Sequence, residues 1–162
     1  MTDLCIVKQN DIKQLTFTFL LIVAATAAFS QSKFSNNELS VNGFRNPSIG
    51  IEYRIGQSSA HAGYYTTAFK KSEYTNFVKV GYTFWFFPSG KGELPSAFYS
   101  GASYMRGLNR DYQGKDAMGV ELGYRWMVWK GLNLRIGAIG VTAKDLSFKI
   151  SPTPGISYSF KL

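Results

Sequence analysis

The 162-residue chain carries one cysteine, one histidine and five prolines, and only 17% of its residues are charged. A single cysteine, Cys5, excludes a disulfide framework, and one histidine beside it excludes the usual zinc ligand sets. Glycine is plentiful at 16 residues, but the glycines sit singly within alternating segments, so no phosphate-cradling loop is present. The apolar run LTFTFLLIVAATAAF, residues 15–29, is shorter than the roughly 20 residues a membrane-spanning helix needs. No helix-period stretch follows residue 31, and no Pro-, Gly- or Ser-rich linker divides the chain, which leaves one domain.

The first 30 residues differ from the rest. Lys8 and Lys13 precede the apolar run, and small residues then give way to Gln31, the pattern of a cleaved secretory signal. Cleavage is expected after Ser30, with Ala27 and Ala28 as alternatives. Removal takes Lys8, Lys13, Asp3 and Asp11 together, so the net charge of +8 is unchanged. Cys5 goes with them. It precedes the apolar run instead of ending it, which argues against lipidation. The expected organisation is a signal over 1–30 and a single domain over 31–162. Export removes nucleic acid as the partner of the basic excess.

What the chain has in abundance is aromatic residues, with 13 Phe, 10 Tyr and 3 Trp, and period-two alternation. PSIGIEYRIG (47–56) sets Ile49, Ile51, Tyr53 and Ile55 against Gly50, Glu52, Arg54 and Gly56. NFVKVGYTFWFF (76–87) sets Val78, Val80, Tyr82, Phe84 and Phe86 against Phe77, Lys79, Gly81, Thr83 and Trp85. AMGVELGYRWMVW (117–129) sets Met118, Val120, Leu122, Tyr124, Trp126 and Val128 against Gly119, Glu121, Gly123, Arg125 and Met127. Weaker strands are predicted over 37–44, 60–69, 96–106 and 132–143, and the terminal PGISYSFKL completes eight. Short turns at GQSS and Lys130–Gly131 alternate with longer loops at KKSEY, LNRDYQGKD and KDLSFKISPTP, while PSGKGELP is longer than its place on the short side allows. An even strand count with alternating connections predicts an all-β, eight-stranded antiparallel up-and-down transmembrane barrel, its long loops outside and its termini periplasmic.

Glycine on the charged face separates this plan from a soluble sandwich. GYY (63–65), GYT (81–83) and GYR (123–125) each place Gly on the polar face and Tyr on the apolar one. A polar face in water favours long side chains, whereas the lumen of an eight-stranded barrel is so narrow that small residues must make room for large ones. Phe84, Phe86, Trp126 and Trp129 cluster at the strand ends on the periplasmic side, where an aromatic girdle is expected.

On PSIGIEYRIG, FYSGASYMRGLN, GYRWMVWKGLNLRIG and PGISYSFKL, the chain resembles the small eight-stranded outer-membrane barrels typified by OmpX and the membrane domain of OmpA. More narrowly, it resembles a group of uncharacterised outer-membrane barrels from Bacteroidetes. The resemblance covers nearly all of residues 31–162. It implies a monomeric, non-enzymatic outer-membrane protein with a structural or surface-interaction role. It also implies that Tyr158, Phe160 and Leu162 form the closing strand and the signal read by the barrel-assembly machinery.

Glu52, Arg54, His61, Lys79, Glu121, Arg125, Arg135 and Lys161 fall on the lumen face, where buried charges must pair, so a salt-bridged plug is expected. Across the GQSS turn His61 is expected near Arg54. With Ser59 and Glu52 it can be drawn as a hydrolase constellation resembling barrel lipid-A deacylases, although order and spacing do not match their histidine-x-serine pattern. The alternatives are therefore a lipid-modifying enzyme working from Ser59 and His61, or a soluble barrel binding an apolar ligand with Ile49, Val80 and Val120 turned inward. Lys70, Lys71, Arg106, Arg110 and Lys115 are placed at the outer rim, facing lipopolysaccharide phosphates. No cofactor or metal is expected.

Overall fold

A computed structural model describes residue 34 and residues 37–43, 48–70, 73–90 and 94–162. The expected signal segment and Lys71 lie outside the described residues. The elements are β1 (Asn37–Gly43), β2 (Ile49–Ile55), β3 (Ser58–Lys70), β4 (Glu73–Ser89), β5 (Ser96–Gly107), a single 3-10 turn at Arg110–Tyr112, β6 (Asp116–Trp129), β7 (Leu132–Ala143), β8 (Leu146–Pro152) and β9 (Gly155–Lys161). No α-helix occurs among the described residues.

Consecutive strands pair antiparallel from β1 to β7, and β9 returns to pair with both β7 and β1, which closes the sheet on itself. Closure leaves no edge along that ring. β8 and β9 share one strand position, because β7 pairs first with β8 through Ala138–Ala143 and then with β9 through Leu132–Arg135. The result is a closed eight-stranded antiparallel barrel. Pro152 and Pro154 cause the break between β8 and β9, since neither can donate to a ladder, and Thr153 N–H donates to the Gly137 carbonyl at 2.8 Å between them.

Two connections expected to be long are shorter than the sequence suggests. The expected loop 144–153 is mostly β8, and only Lys144 and Asp145 link it to β7. In the expected loop KKSEY, Lys70, Glu73 and Tyr74 are strand residues as well, with Lys70 opposite Glu73 in the β3–β4 ladder. Within the 144–153 segment LSFKI reads as a strand extension carried on the loop, and the structure makes that extension the strand β8. The β6–β7 turn fits its two residues: Lys130 and Gly131 both have positive φ, 29° and 97°, as a tight hairpin requires.

The barrel is uneven at the end away from its terminal strands. β2 stops at Ile49 opposite Tyr64, while β3 runs on to Lys70 and β8 stands across the gap. There β3 and β8 meet through side chains, Thr67 Oγ1 to Ser151 Oγ at 2.5 Å, and Ser48 Oγ accepts from the Thr66 N–H at 2.8 Å.

Alternation sorts the residues as expected, with large apolar side chains outside and polar ones inside. Ile49, Ile51, Val80, Val120, Leu122, Ile136, Ile150 and Ile156 are exposed, and Glu52, Arg54, Lys79, Arg125 and Arg135 are buried. A bulge adjusts the end where β6 turns into β7. An irregularity between Met127 and Trp129 lets Trp126 and Trp129 both face outward, which strict alternation over three residues would forbid.

Candidate functional site: the barrel interior and outer rim

Three layers fill the interior. At the end that holds Asn37 and Lys161, Trp85, Ala97 and Tyr99 form a buried cluster against which Phe34 packs. Trp85 is wholly buried, and three guanidinium groups lie over its ring, those of Arg125 at 4.5 Å, Arg135 at 5.1 Å and Arg54 at 6.0 Å from the centroid. A π face accepts a cation most favourably where water is excluded. The indole Nε1 donates to Ser59 Oγ at 2.8 Å, so both the face and the edge of Trp85 are engaged.

The ion pairs start at this end, where Glu38 stands opposite Lys161, and continue inward. Glu38 binds Arg54 on the neighbouring strand and Arg125, on β6, at 2.5 Å. Glu52 binds Arg135 at 2.7 Å, and Lys79 binds Glu121 at 2.7 Å. The remaining carboxylate oxygens find neutral donors: Ser59 Oγ donates to Glu52 Oε1 at 2.5 Å and Tyr99 Oη to Glu121 Oε1 at 3.2 Å, while Asn42 Nδ2 donates at 3.1 Å to the Glu52 oxygen that Arg135 also binds. Charges withdrawn from water are tolerated on these terms, because pairing and extra hydrogen bonds offset desolvation. Glycine makes the space. The Tyr99 ring lies over Gly123, where a Cβ would come within 2.5 Å of it, and His61 lies over Gly81, where a Cβ would come within 2.7 Å of Nε2.

An apolar layer closes the far end. Tyr65, Phe77, Met105, Tyr112, Ala117, Ile139 and Val141 are buried together, with Phe69 and Leu146 packed on them. Tyr112 reaches this layer from the 3-10 turn, its ring stacked on Phe69 at 5.4 Å and edge-on to Phe77 at 5.1 Å. Gly107 sits beneath it, with no room for a side chain against the Tyr112 backbone.

Most of the expected lumen residues meet in this network, and two placements differ. Lys161 shares the inward phase of Ser157 and Ser159 but lies at the barrel's end, where it is exposed. His61 stands opposite Glu52 in the ladder, whereas Arg54 stands opposite Ser59, because the β2–β3 turn is tighter by one pair than expected. Ser59 and His61 are not joined as the drawn constellation requires: Ser59 Oγ donates to Glu52 and accepts from Trp85, and His61 Nδ1 is 3.2 Å from Thr83 Oγ1. Glu38 was missed. Ile49, Val80 and Val120 point outward, so no apolar ligand inside the barrel meets them.

At the barrel end away from Asn37 and Lys161, Arg106 pairs with Asp116, both half-exposed, and Tyr104 Oη donates to the same carboxylate at 2.5 Å. Arg110 has a left-handed backbone, φ 53°, and its Nε donates to the Tyr74 carbonyl at 3.1 Å. Asn109 braces the same loop, accepting from Asn76 N–H at 2.8 Å. Arg110 is exposed and Lys115 half-buried, so Arg106, Arg110 and Lys115 do share one end, which is also where β3 ends at Lys70. The expected girdle residues lie at the opposite end: Trp126 and Trp129 are exposed, and Phe84, Phe86 and Phe98 stack in an outward ladder at 6.4 and 6.1 Å. Tyr158 and Phe160 pack together outside at 4.8 Å, and the Leu162 N–H still donates to the Asn37 carbonyl at 3.2 Å.

Fold and site together define a closed β-barrel with an ionic interior and an apolar exterior. No family model matches the chain, and neither a curated protein nor a solved structure matches it.

Proposed function

We propose that the protein is an outer-membrane β-barrel with a structural or surface-interaction role and no catalytic one. The observation that carries this reading is the exterior. An aliphatic belt of Ile51, Val80, Val120, Leu122 and Ile136 is exposed, flanked at one end by Phe86, Phe98, Trp126, Trp129 and Phe160 and at the other by Tyr74, Tyr104 and Phe148. Water disfavours such a surface, and a bilayer matches its sequence of aromatic, aliphatic and aromatic bands. Arg106, Arg110 and Lys115 beyond the second band meet lipopolysaccharide phosphates, and Lys70 and Lys71 are proposed to join them. Residues 1–30 direct export, and Tyr158, Phe160 and Leu162 present the last strand to the assembly machinery. A filled interior supports a monomeric structural barrel over a porin-like channel.

Gel mobility of the protein from the outer-membrane fraction, with and without boiling in detergent, tests this. A heat-dependent shift is expected of a closed, detergent-resistant barrel. Recovery as a soluble protein with no shift overturns the reading.

A further inference from the structure

Among the buried polar atoms without a hydrogen-bond partner are Asn42 Oδ1 and His61 Nε2, which stand side by side in the ionic layer. An unsatisfied buried acceptor or donor costs on the order of a hydrogen bond's desolvation, so such atoms mark places where something else binds. Both residues line two neighbouring cavities. One, of about 20 Å³, lies where Gly50 and Gly63 face each other and leave the inner wall without side chains. The other, of about 10 Å³, is lined by Glu52, Thr83, Tyr99, Glu121 and Arg135. Lys79 lines both as well.

We propose that this space is a built hydration site, holding water that bridges Asn42 and His61 and joins the Glu52–Arg135 pair to the Lys79–Glu121 pair. Three features select water. The volumes suit single water molecules, since a site of this measure needs about 10–15 Å³. Asn42 Oδ1 accepts only, whereas His61 Nε2 donates or accepts according to tautomer, and water satisfies both. Cations of Lys79 and Arg135 balance anions of Glu52 and Glu121 around the site, so neither a metal ion nor a halide is favoured. The glycines are then functional in a specific sense. Gly50 and Gly63 put no side chain into the space, Gly81 leaves room for the His61 ring, and His61 is the polar anchor beside it.

The test is nuclear magnetic resonance of the whole barrel in detergent micelles, labelled with ¹⁵N. Cross-relaxation from water to the His61 ring and the Asn42 amide is expected, with a His61 Nε2 shift displaced toward a hydrogen-bonded nitrogen. The double variant Asn42→Leu/His61→Phe is expected to lose the water signal at neighbouring Thr83 and Tyr99. No water contact at His61 in the wild type overturns the proposal. So does a water signal at Thr83 and Tyr99 that persists in the double variant. If that variant does not fold, the wild-type ring shift decides alone, because a dry site leaves Nε2 at the value of a free nitrogen. None of these outcomes depends on where in the cell the barrel resides.

Discussion

Glu38 is the residue on which the interior turns. It is buried on β1 and accepts from Arg54 on the adjacent strand and from Arg125, 87 residues further along the chain. Removing one member of a buried ion network leaves the others charged and unpaired, which costs about 3–5 kcal/mol. Glu38→Gln keeps the volume and removes the charge, so the urea midpoint of the refolded barrel is expected to fall clearly. Arg106→Ala breaks a half-exposed pair and is expected to leave the midpoint unchanged. Equal midpoints for Glu38→Gln and wild type would show that the network does not hold the barrel. Sequence reasoning found Arg54 and Arg125 and missed Glu38 for a physical reason. NELSVNG offers only Leu39 and Val41 as apolar phase markers, and the partner that gives Glu38 its importance is brought near only by closure of the sheet.

Strands were legible where a large apolar residue recurs every second position over many residues, as in β4 and β6, and less so where the pattern is interrupted. β8 and β9 are one strand position read as a loop and a strand, because Pro152 and Pro154 carry the local signal of a turn while the β7 ladder continues past them. The interior role of glycine was legible in outline, from GYT and GYR, but which ring each glycine faces is set by partner strands. Turn glycines are separable by experiment. Gly131 and Gly90 both have positive φ, 97° and 105°, yet a Cβ at Gly131 would come within 2.4 Å of the Ser159 carbonyl and one at Gly90 would meet nothing within 4 Å. Gly90→Ala is therefore expected to lose only the backbone preference, about 1 kcal/mol. Gly131→Ala is expected to lose visibly more, since the β6–β7 turn must also withdraw from β9. Urea midpoints of the two variants compare them directly, and an equal loss would mean that the turn moves away from Ser159 without cost.

At the scale of the whole molecule, the charges and the tryptophans divide between two environments that the barrel wall separates. Trp85 lies inside, beneath three arginines, and Trp126 and Trp129 lie outside among aliphatic residues. The wall is one strand thick, so the inside and outside assignments rest on alternation phase, and a one-residue slip would exchange every one of them. Glu38, Arg54, Arg125 and Arg135 would then stand on the apolar surface with no partner, which is why the ionic network fixes the register as well as filling the lumen. Variants retaining a single tryptophan, the other two changed to Phe, can be placed in vesicles whose acyl chains carry bromine, a short-range quencher of indole emission. Emission of Trp126 and of Trp129 is expected to drop on reconstitution, and that of Trp85 to be largely spared. Quenching of Trp85 as strong as that of Trp126 would put the indole on the lipid side and reverse the two faces. Absence of quenching at all three, in a barrel that remains folded, would instead remove the bilayer from the reading of the exterior and leave the belt of Ile51, Val80, Val120 and Ile136 to be covered by protein.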